Sequence, residues 1–137
     1  MSGTSTTSVD YAVTAGVATI TLARPAASNA LDRITKIDLL QALSTAADDD
    51  SVRAVALLAL GKNFCVGQDL AEHVAALKAD PAHAMATVRE HYNPIVTALH
   101  ALTVPVVAGV NGACVGAGFG LALAADIRIA GTRTKFG

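Results

Sequence analysis

Apolar and β-branched residues dominate two segments near the N-terminus, 9–13 and 17–22, and this composition is typical of β-strands. Ala15 and Gly16 lie between the segments and predict a tight turn. Pro25, which has no backbone N–H, ends the second strand. The first folded unit is therefore predicted to be an antiparallel β-hairpin.

The pattern then changes to the three- and four-residue spacing of a helix. This helix is predicted to begin near Asp32 and to end in solvent at the acidic run 48–50. Its apolar stripe consists of Leu31, Ile34, Ile37, Leu39, Leu40 and Leu43. The short apolar run 53–60 predicts a strand buried on both faces, as in parallel sheets. Together these segments predict a βαβ unit.

The second half of the chain repeats this alternation. A glycine-rich loop follows its first strand, and its elements are predicted as a helix over about 82–102, a strand over 104–110, a short helix over 118–125 and a strand over 126–130. Alternating strands and helices predict an α/β fold. We expect one core over residues 9–137 and a disordered tail at residues 1–8, which are rich in Ser, Thr and Gly.

Composition narrows the possible partners. A net charge of −1 and an aromatic content of 4% argue against nucleic acid binding, which needs a basic surface. Residues 104–125 carry no charge and are long enough to span a bilayer, but Pro105, Asn111 and several glycines argue against a membrane helix. We expect a cytoplasmic protein with neither nucleic acid nor membrane as a partner.

The two cysteines, Cys65 and Cys114, are flanked by small apolar residues, and neither has a further Cys, His or Asp at metal-ligand spacing. This context predicts buried free thiols rather than a disulfide, a nucleophile or a metal site. No metal is therefore expected.

Two stretches carry the candidate chemistry, and each follows a strand-like run and leads into a helix-like one. They are Asn63-Phe-Cys-Val-Gly-Gln-Asp69-Leu70 and Asn111-Gly-Ala-Cys-Val-Gly-Ala-Gly-Phe-Gly-Leu121. Small residues let a ligand approach the main chain, and a helix N-terminus offers unpaired N–H groups. Two such loops together suit the negative charge that develops on a carbonyl oxygen.

The glycine-rich loop, taken alone, also fits a nucleotide site or simple close packing. Gly116, Gly118 and Gly120 form a G-x-G-x-G pattern like a dinucleotide-binding fingerprint, but the third glycine of that fingerprint would fall at Leu121. In the packing interpretation, the glycines only let a helix lie closely on a strand.

The two stretches, together with Arg24-Pro25 and Asn29-Ala30-Leu31, resemble the crotonase (enoyl-CoA hydratase/isomerase) superfamily from about Val9 to Gly137. The resemblance implies a crotonase-like spiral of ββα turns, of which this chain holds the N-terminal part. It implies an acyl-CoA thioester as the partner, with coenzyme A as part of the substrate and no separate cofactor. For a full-length protein it implies a homo-trimer or hexamer.

The resemblance also assigns site residues. The backbone N–H groups of Gln68 and Ala117 are the catalytic oxyanion donors, so the side chains at these two positions are free to vary. Lys62 lies where the family often places a cation for the phosphates of coenzyme A, although an ordinary loop lysine is the alternative. The other substrate-binding residues are Ala26, Ser28, Ala30, Val66, Asp69, Leu70, Gly116 and Gly120.

Gly120 departs from the hydratase pattern. Hydratases of the family use two glutamates as acid and base; the first would fall at Gly120 and the second a few residues beyond Gly137. Isomerisation moves one proton and can run with one carboxylate, so we favour an enoyl-CoA isomerase. The segments 64–70, 92–94 and 115–118 resemble the ring-opening isomerases of phenylacetyl-CoA breakdown, which also lack the first glutamate. The alternatives are a hydratase proper and a non-catalytic CoA-binding or assembly fragment.

The remaining titratable residues are predicted to be mainly structural. Glu72, His73, Glu90 and His91 are expected as charges on exposed helix faces, with acid–base catalysis as the alternative. His83 and His100 are predicted to lie on the surface, and Asp126 to be a polar anchor between a helix and a strand.

Overall fold

The computed structural model describes residues 7–137, so the predicted tail at residues 1–8 lies largely outside the described residues. The strands are β1 (Val9–Thr14), β2 (Val17–Leu22), β3 (Ala54–Ala59), β4 (Val106–Val110), β5 (Ala113–Cys114), β6 (Ile127–Ala130) and β7 (Lys135–Phe136). The α-helices are α1 (Arg33–Asp48), α2 (Leu70–Ala79), α3 (Asn93–Ala101) and α4 (Ala117–Ala124).

One sheet of five strands has the order β1-β2-β3-β4-β6. The pair β1 and β2 is antiparallel, and the other neighbours are parallel. Ala15 and Gly16 have φ angles of 52° and 81°, the left-handed values that a tight hairpin turn requires. The predicted hairpin, βαβ unit and α/β class are confirmed. The short parallel pair β5 and β7 forms a second sheet that the sequence did not predict.

Helix α1 begins where the sequence predicted, because the Asp32 carboxylate accepts a hydrogen bond of 2.8 Å from Thr35 N. Its buried face was predicted wrongly at two positions of the apolar stripe. Ile34 is 65% exposed and Ile37 is 48% exposed. The buried residues are Thr35, Lys36, Leu39, Ala42, Leu43 and Ala46. Counting back three and four residues from Leu39 gives Lys36 and Thr35, so the helix period selects these two for the interior.

The core lies between the sheet and helices α1 and α3. Val55 and Leu57 of β3 belong to one buried cluster with Leu39, Leu43, Ile95 and Leu99 of the helices. The next residue, Leu58, points to the other face of the strand and is 38% exposed. The prediction that this strand is buried on both faces is therefore wrong, because within residues 7–137 α1 and α3 cover one face of it.

The helix predicted over 82–102 is interrupted. A 3₁₀ turn covers Pro81–His83, a π-helical turn covers Val88–Tyr92, and the α-helix that follows covers Asn93–Ala101. Asn93 N donates to Val88 O, five residues back. Pro94 has no N–H to continue the α-helical ladder into the preceding turn, which accounts for the change of helix type there.

The uncharged segment 104–125 contains strand β4, the short strand β5 and the eight-residue helix α4. Within residues 7–137, no helix combines the length and the apolar character that a bilayer span needs.

Candidate active site

The peptide unit between Gly67 and Gln68 is hydrogen-bonded to Leu31 through its carbonyl group. Leu31 N donates to Gly67 O at 2.8 Å, and Asp69 N donates to Leu31 O at 3.1 Å. In a trans peptide the N–H and C=O bonds point in opposite directions. The Gln68 N–H group therefore points away from Leu31, and it has no hydrogen-bond partner within residues 7–137.

Ala117 is the first residue of helix α4, after the N-cap Gly116. Gly116 O accepts a hydrogen bond from Gly120 N at 3.1 Å, so it points along the helix. The Ala117 N–H group points the other way, out of the helix N-terminus, where N–H groups have no intrahelical partner. It too is without a partner in the described part of the chain.

Gly67 brings these two N–H groups together. Its φ is +91°, and a Cβ atom there would lie 3.1 Å from Ala117 N and 3.2 Å from Val115 O. A Cβ on Gly116, whose φ is +56°, would lie 3.9 Å from Gly67 Cα. Gln68 N is bonded directly to the Gly67 carbonyl carbon, so both backbone nitrogens lie beside Gly67, where any larger residue would press on Ala117 N.

Asn29 fixes the loop that follows β3 and leads to Gly67. It is 1% exposed and has a left-handed φ of 57°. Its Oδ1 accepts from Arg24 N at 2.8 Å. Its Nδ2 donates to Leu60 O and Asn63 O, both at 2.9 Å. All of the bonds that this buried amide makes are to main chain, so it joins the turn after β2 to the loop after β3.

The predicted small-residue strip lies against that loop. Ser28 O accepts from Val66 N at 3.2 Å, and the Asn63 amide donates to Ser28 Oγ at 3.0 Å. The same Asn63 side chain accepts from Ala113 N at 3.0 Å, which links the loop to the glycine-rich loop. Ala26 is exposed and Ala30 is buried. The structure thus brings Ser28 and Val66 together, with Gly116 near Gly67.

Lys62 is exposed and lines a cleft of about 540 Å³ together with Asn111, Gly112, Gly131, Thr132 and Arg133. The second cation, Arg133, was not predicted from the sequence. Gln68 and Ala117 do not line this cleft. The two predicted parts of the site, a cation and a pair of N–H groups, are therefore separate features.

Two further predicted binding residues, Asp69 and Leu70, lie at the start of helix α2. Asp69 caps helix α2 by accepting from Glu72 N at 3.0 Å, and its other oxygen lies 3.4 Å from Arg24 Nη1. Leu70 is 75% exposed. Asp126 accepts from Val106 N at 2.8 Å and donates through its own N–H to Val106 O, which confirms it as a structural anchor. His83 and His100 are exposed, as predicted.

Close packing explains one glycine of the glycine-rich loop but not another. A Cβ on Gly118 would lie 2.3 Å from Cys65 O, so close packing alone explains that glycine. A Cβ on Gly120 would meet nothing within 4 Å. Packing therefore does not account for Gly120, the position at which the hydratase glutamate is absent.

Cys65 and Cys114 are buried free thiols, as predicted. Cys65 Sγ lies 3.2 Å from Asn29 O and accepts from Gly67 N at 3.4 Å. Burial is the main reason that the pKa of Cys65 rises to about 11, so this thiol is protonated at neutral pH and does not act as a nucleophile.

A polar cluster behind Gln68 was missed. Lys36 has a side-chain exposure of 0%, and its Nζ lies 3.1 Å from Gln68 Oε1, 3.2 Å from Glu72 Oε1 and 2.6 Å from Thr87 Oγ1. The Tyr92 hydroxyl also donates to Gln68 Oε1. The helix period from Leu39 and Leu43 was the signal that could have placed Lys36 inside.

Two of the titratable candidates, Glu72 and His91, contact the same cluster. Glu72 pairs with Lys36 and accepts from Arg33 N at 2.7 Å, so it is not a free surface charge. Glu90 is exposed. His91 Nδ1 lies 2.9 Å from Thr87 Oγ1, and burial followed by the Lys36 charge lowers its pKa. Burial raises the pKa of Tyr92 far above its usual value.

Comparison with known proteins gives a consistent result. The profile of the enoyl-CoA hydratase/isomerase family matches residues 12–137. The chain is 39% identical over 128 residues to a probable enoyl-CoA hydratase of Rhodobacter capsulatus, and the match covers 93% of this chain and 48% of that protein. It is 37% identical over 121 residues to the 1,2-epoxyphenylacetyl-CoA isomerase of Escherichia coli, covering 88% of this chain and 46% of that protein.

A solved structure agrees with the sequence relatives. The crystal structure of a candidate enoyl-CoA hydratase/isomerase from Mycobacterium abscessus is 70% identical and superposes with a TM-score of 0.93 over 94% of this chain and 50% of that one. The chain thus spans about half the length of the relatives it matches. With its parallel sheet, its paired loops and this match, the chain belongs to the enoyl-CoA hydratase/isomerase family of the crotonase fold.

Proposed function

We propose that this chain forms the thioester-binding part of an enoyl-CoA isomerase, with the N–H groups of Gln68 and Ala117 as donors to the thioester oxygen. The observation that carries the proposal is the pair of N–H groups beside Gly67, neither of which has a partner within residues 7–137. Backbone donors of this kind are pre-oriented, so no reorganisation is needed when charge develops.

The chemistry follows from those donors. A base removes the α-proton of a 3-enoyl thioester, and the electron pair moves through the carbonyl carbon onto the thioester oxygen. Return of one proton to the γ-carbon gives the 2-enoyl isomer, so no atom is gained or lost. The two N–H groups bind the negatively charged oxygen more strongly than the neutral carbonyl, and loss of one such donor costs about 10²- to 10³-fold in rate.

Gly120 supports isomerisation over hydration. Hydration needs one group to activate water and another to protonate the α-carbon, and position 120 offers neither. Glu72 is engaged by Lys36 and Arg33 N. Relatives of both kinds are known: one is named a probable enoyl-CoA hydratase, another a 1,2-epoxyphenylacetyl-CoA isomerase.

The cationic cleft supports coenzyme A as the carrier. Lys62 and Arg133 line it together, and paired cations suit the phosphates of a nucleotide. A relative from Streptococcus mutans, 40% identical over 126 residues and 48% covered by this chain, is named trans-2-decenoyl-[acyl-carrier-protein] isomerase. Competition between a CoA thioester and the matching acyl-carrier-protein thioester separates these carriers.

A matched pair of variants at Ala117 tests the proposal. Ala117→Pro removes the N–H at the first position of a helix, where proline is tolerated, and Ala117→Gly retains it. The probe is cinnamoyl-CoA, whose conjugated carbonyl absorbs at longer wavelength when it is polarised. We expect a red shift on binding to the parent and Ala117→Gly chains and none with Ala117→Pro.

Two results would contradict this assignment. An undiminished red shift with Ala117→Pro means that the N–H group is not a donor. Binding and red shift without double-bond migration or hydration in any enoyl-CoA tested favour the non-catalytic CoA-binding alternative.

A further inference from the structure

The Lys36 ammonium group is a fixed charge in the interior. Its three nearest oxygen partners are Gln68 Oε1 at 3.1 Å, Glu72 Oε1 at 3.2 Å and Thr87 Oγ1 at 2.6 Å. An ammonium group has three hydrogens to donate, so this set uses all of them. Burying such a charge is costly unless it is paired and hydrogen-bonded, which makes the cluster intolerant of rearrangement.

The Gln68 side chain is held from two sides. Its Oε1 accepts from Lys36 Nζ and from the Tyr92 hydroxyl, which together occupy both of its lone pairs. The Lys36 ammonium also lies 5.0 Å from the centre of the Tyr92 ring. Helix α1 and the π-helical turn therefore meet on the side chain of one loop residue.

The backbone orientation of Gln68 is not fixed by its neighbour Gly67. Gln68 follows Gly67, which has a positive φ and no side chain to restrict it. Leu31 holds the Gly67 carbonyl on one side of the peptide unit. The side-chain bonds to Lys36 and Tyr92 hold Gln68 at a second point, so the direction of its N–H group is defined by two anchors rather than one.

We propose that Lys36 and Tyr92 are positioning residues, which hold Gln68 through Oε1 so that its backbone N–H stays directed at the thioester oxygen. This inference rests on the function proposed above. It departs from the expectation that the side chain at position 68 is free to vary. The alternative is a cluster that only stabilises the fold.

Tyr92→Phe is the mildest test, because it removes one hydroxyl and keeps the ring beside Lys36. In the Tyr92→Phe variant, we expect the cinnamoyl-CoA red shift to be at most half of the shift that the parent protein gives. We expect kcat for double-bond migration to fall about 10-fold with KM changed less than about 2-fold, as for a group that acts in the transition state. Lys36→Met should act in the same direction and also lower stability.

A double-mutant cycle identifies the route. If Tyr92 acts through Gln68 Oε1, then Tyr92→Phe has no further effect on the red shift once Gln68→Met has removed that oxygen. The positioning role is overturned if the effects of Tyr92→Phe and Gln68→Met on the red shift are additive. It is also overturned if both single variants are fully folded and give the same red shift as the parent. Failure of the proposed function is a separate result, since it appears as an unchanged red shift in Ala117→Pro.

Discussion

The amide nitrogen of Ala117 lies 3.1 Å from the point that a Cβ atom would occupy on Gly67. A single methyl group there would press on the Ala117 amide and on Val115 O, which lies 3.2 Å away. Gly67 adopts a φ of +91° without strain. In the proposed function, its missing side chain also leaves room for the thioester oxygen.

Gly67→Ala is expected to abolish the cinnamoyl-CoA red shift and to lower binding at least 10-fold. The control is Gly16→Ala in the hairpin turn, which has a similar φ of +81° but has Arg53 and Ser51 as its nearest neighbours. Both variants should lose about 1–2 kcal/mol of stability from backbone strain. Isothermal titration and urea unfolding measure the two effects. Equal binding by both variants would contradict the open space as the ligand site.

Asn29→Ala should destabilise the fold by about 2–4 kcal/mol, because it leaves Arg24 N, Leu60 O and Asn63 O without their side-chain partner. The left-handed φ of 57° adds strain for alanine. Asn29→Gly loses the same bonds without that strain, so it should be about 1 kcal/mol less harmful. Urea unfolding of the two variants separates the effect of the lost hydrogen bonds from that of the backbone strain. A less stable Asn29→Gly than Asn29→Ala would mean that the backbone conformation is not retained.

Much of the fold follows from local chemistry. Ala15-Gly16 predicts the hairpin, Asp32 the start of α1, and the two loop motifs predict where main-chain donors are exposed. The stripe of α1 fails because sequence alone ranks Ile34 above Lys36, whereas the period set by Leu39 places the lysine inside. Only the partners from distant segments, Gln68, Glu72 and Thr87, make that burial possible.

The remaining misses have the same origin. The pairing of Ala113 with Lys135 joins two residue runs too short to show a strand pattern. The π-helical turn at 88–92 depends on Pro94 and on contacts of Tyr92 with Gln68. Arg133 reaches the cleft of Lys62 from a distant part of the chain. Each of these depends on tertiary contacts that periodicity does not encode.

Acidification should destabilise the protein through His91. Its pKa is lowered mainly by burial and next by the Lys36 ammonium, so the unfolded chain binds the proton more readily than the folded one. This contribution to stability is therefore complete above the ordinary value of 6.5 and is lost as the pH falls from there through the lower folded value. His91→Asn retains a polar partner for Thr87 and does not titrate. Urea unfolding at about pH 7.5 and about pH 5.5 should show a smaller loss for this variant than for the parent.

Gly120 sets the reaction class in the proposed function. The unmodified protein should hydrate crotonyl-CoA slowly or not at all, because it has no carboxylate at this position to share acid–base work. A Cβ at Gly120 meets nothing within 4 Å, and a glycine inside a helix costs about 0.5–1 kcal/mol relative to alanine. Gly120→Glu should therefore fold at least as well as the parent.

With that carboxylate present in the full-length protein, the hydration rate should rise at least 10-fold, because a general acid or base contributes about 10²- to 10⁴-fold when it is well placed. Gly120→Gln is the matched control, since it fills the same volume without a titratable group and should leave hydration at the parent level. Both are measured by the loss of enoyl absorbance on adding crotonyl-CoA. Efficient hydration by the parent protein would overturn the isomerase assignment and direct the search for a second acid–base group to Glu72, His73, Glu90 and His91.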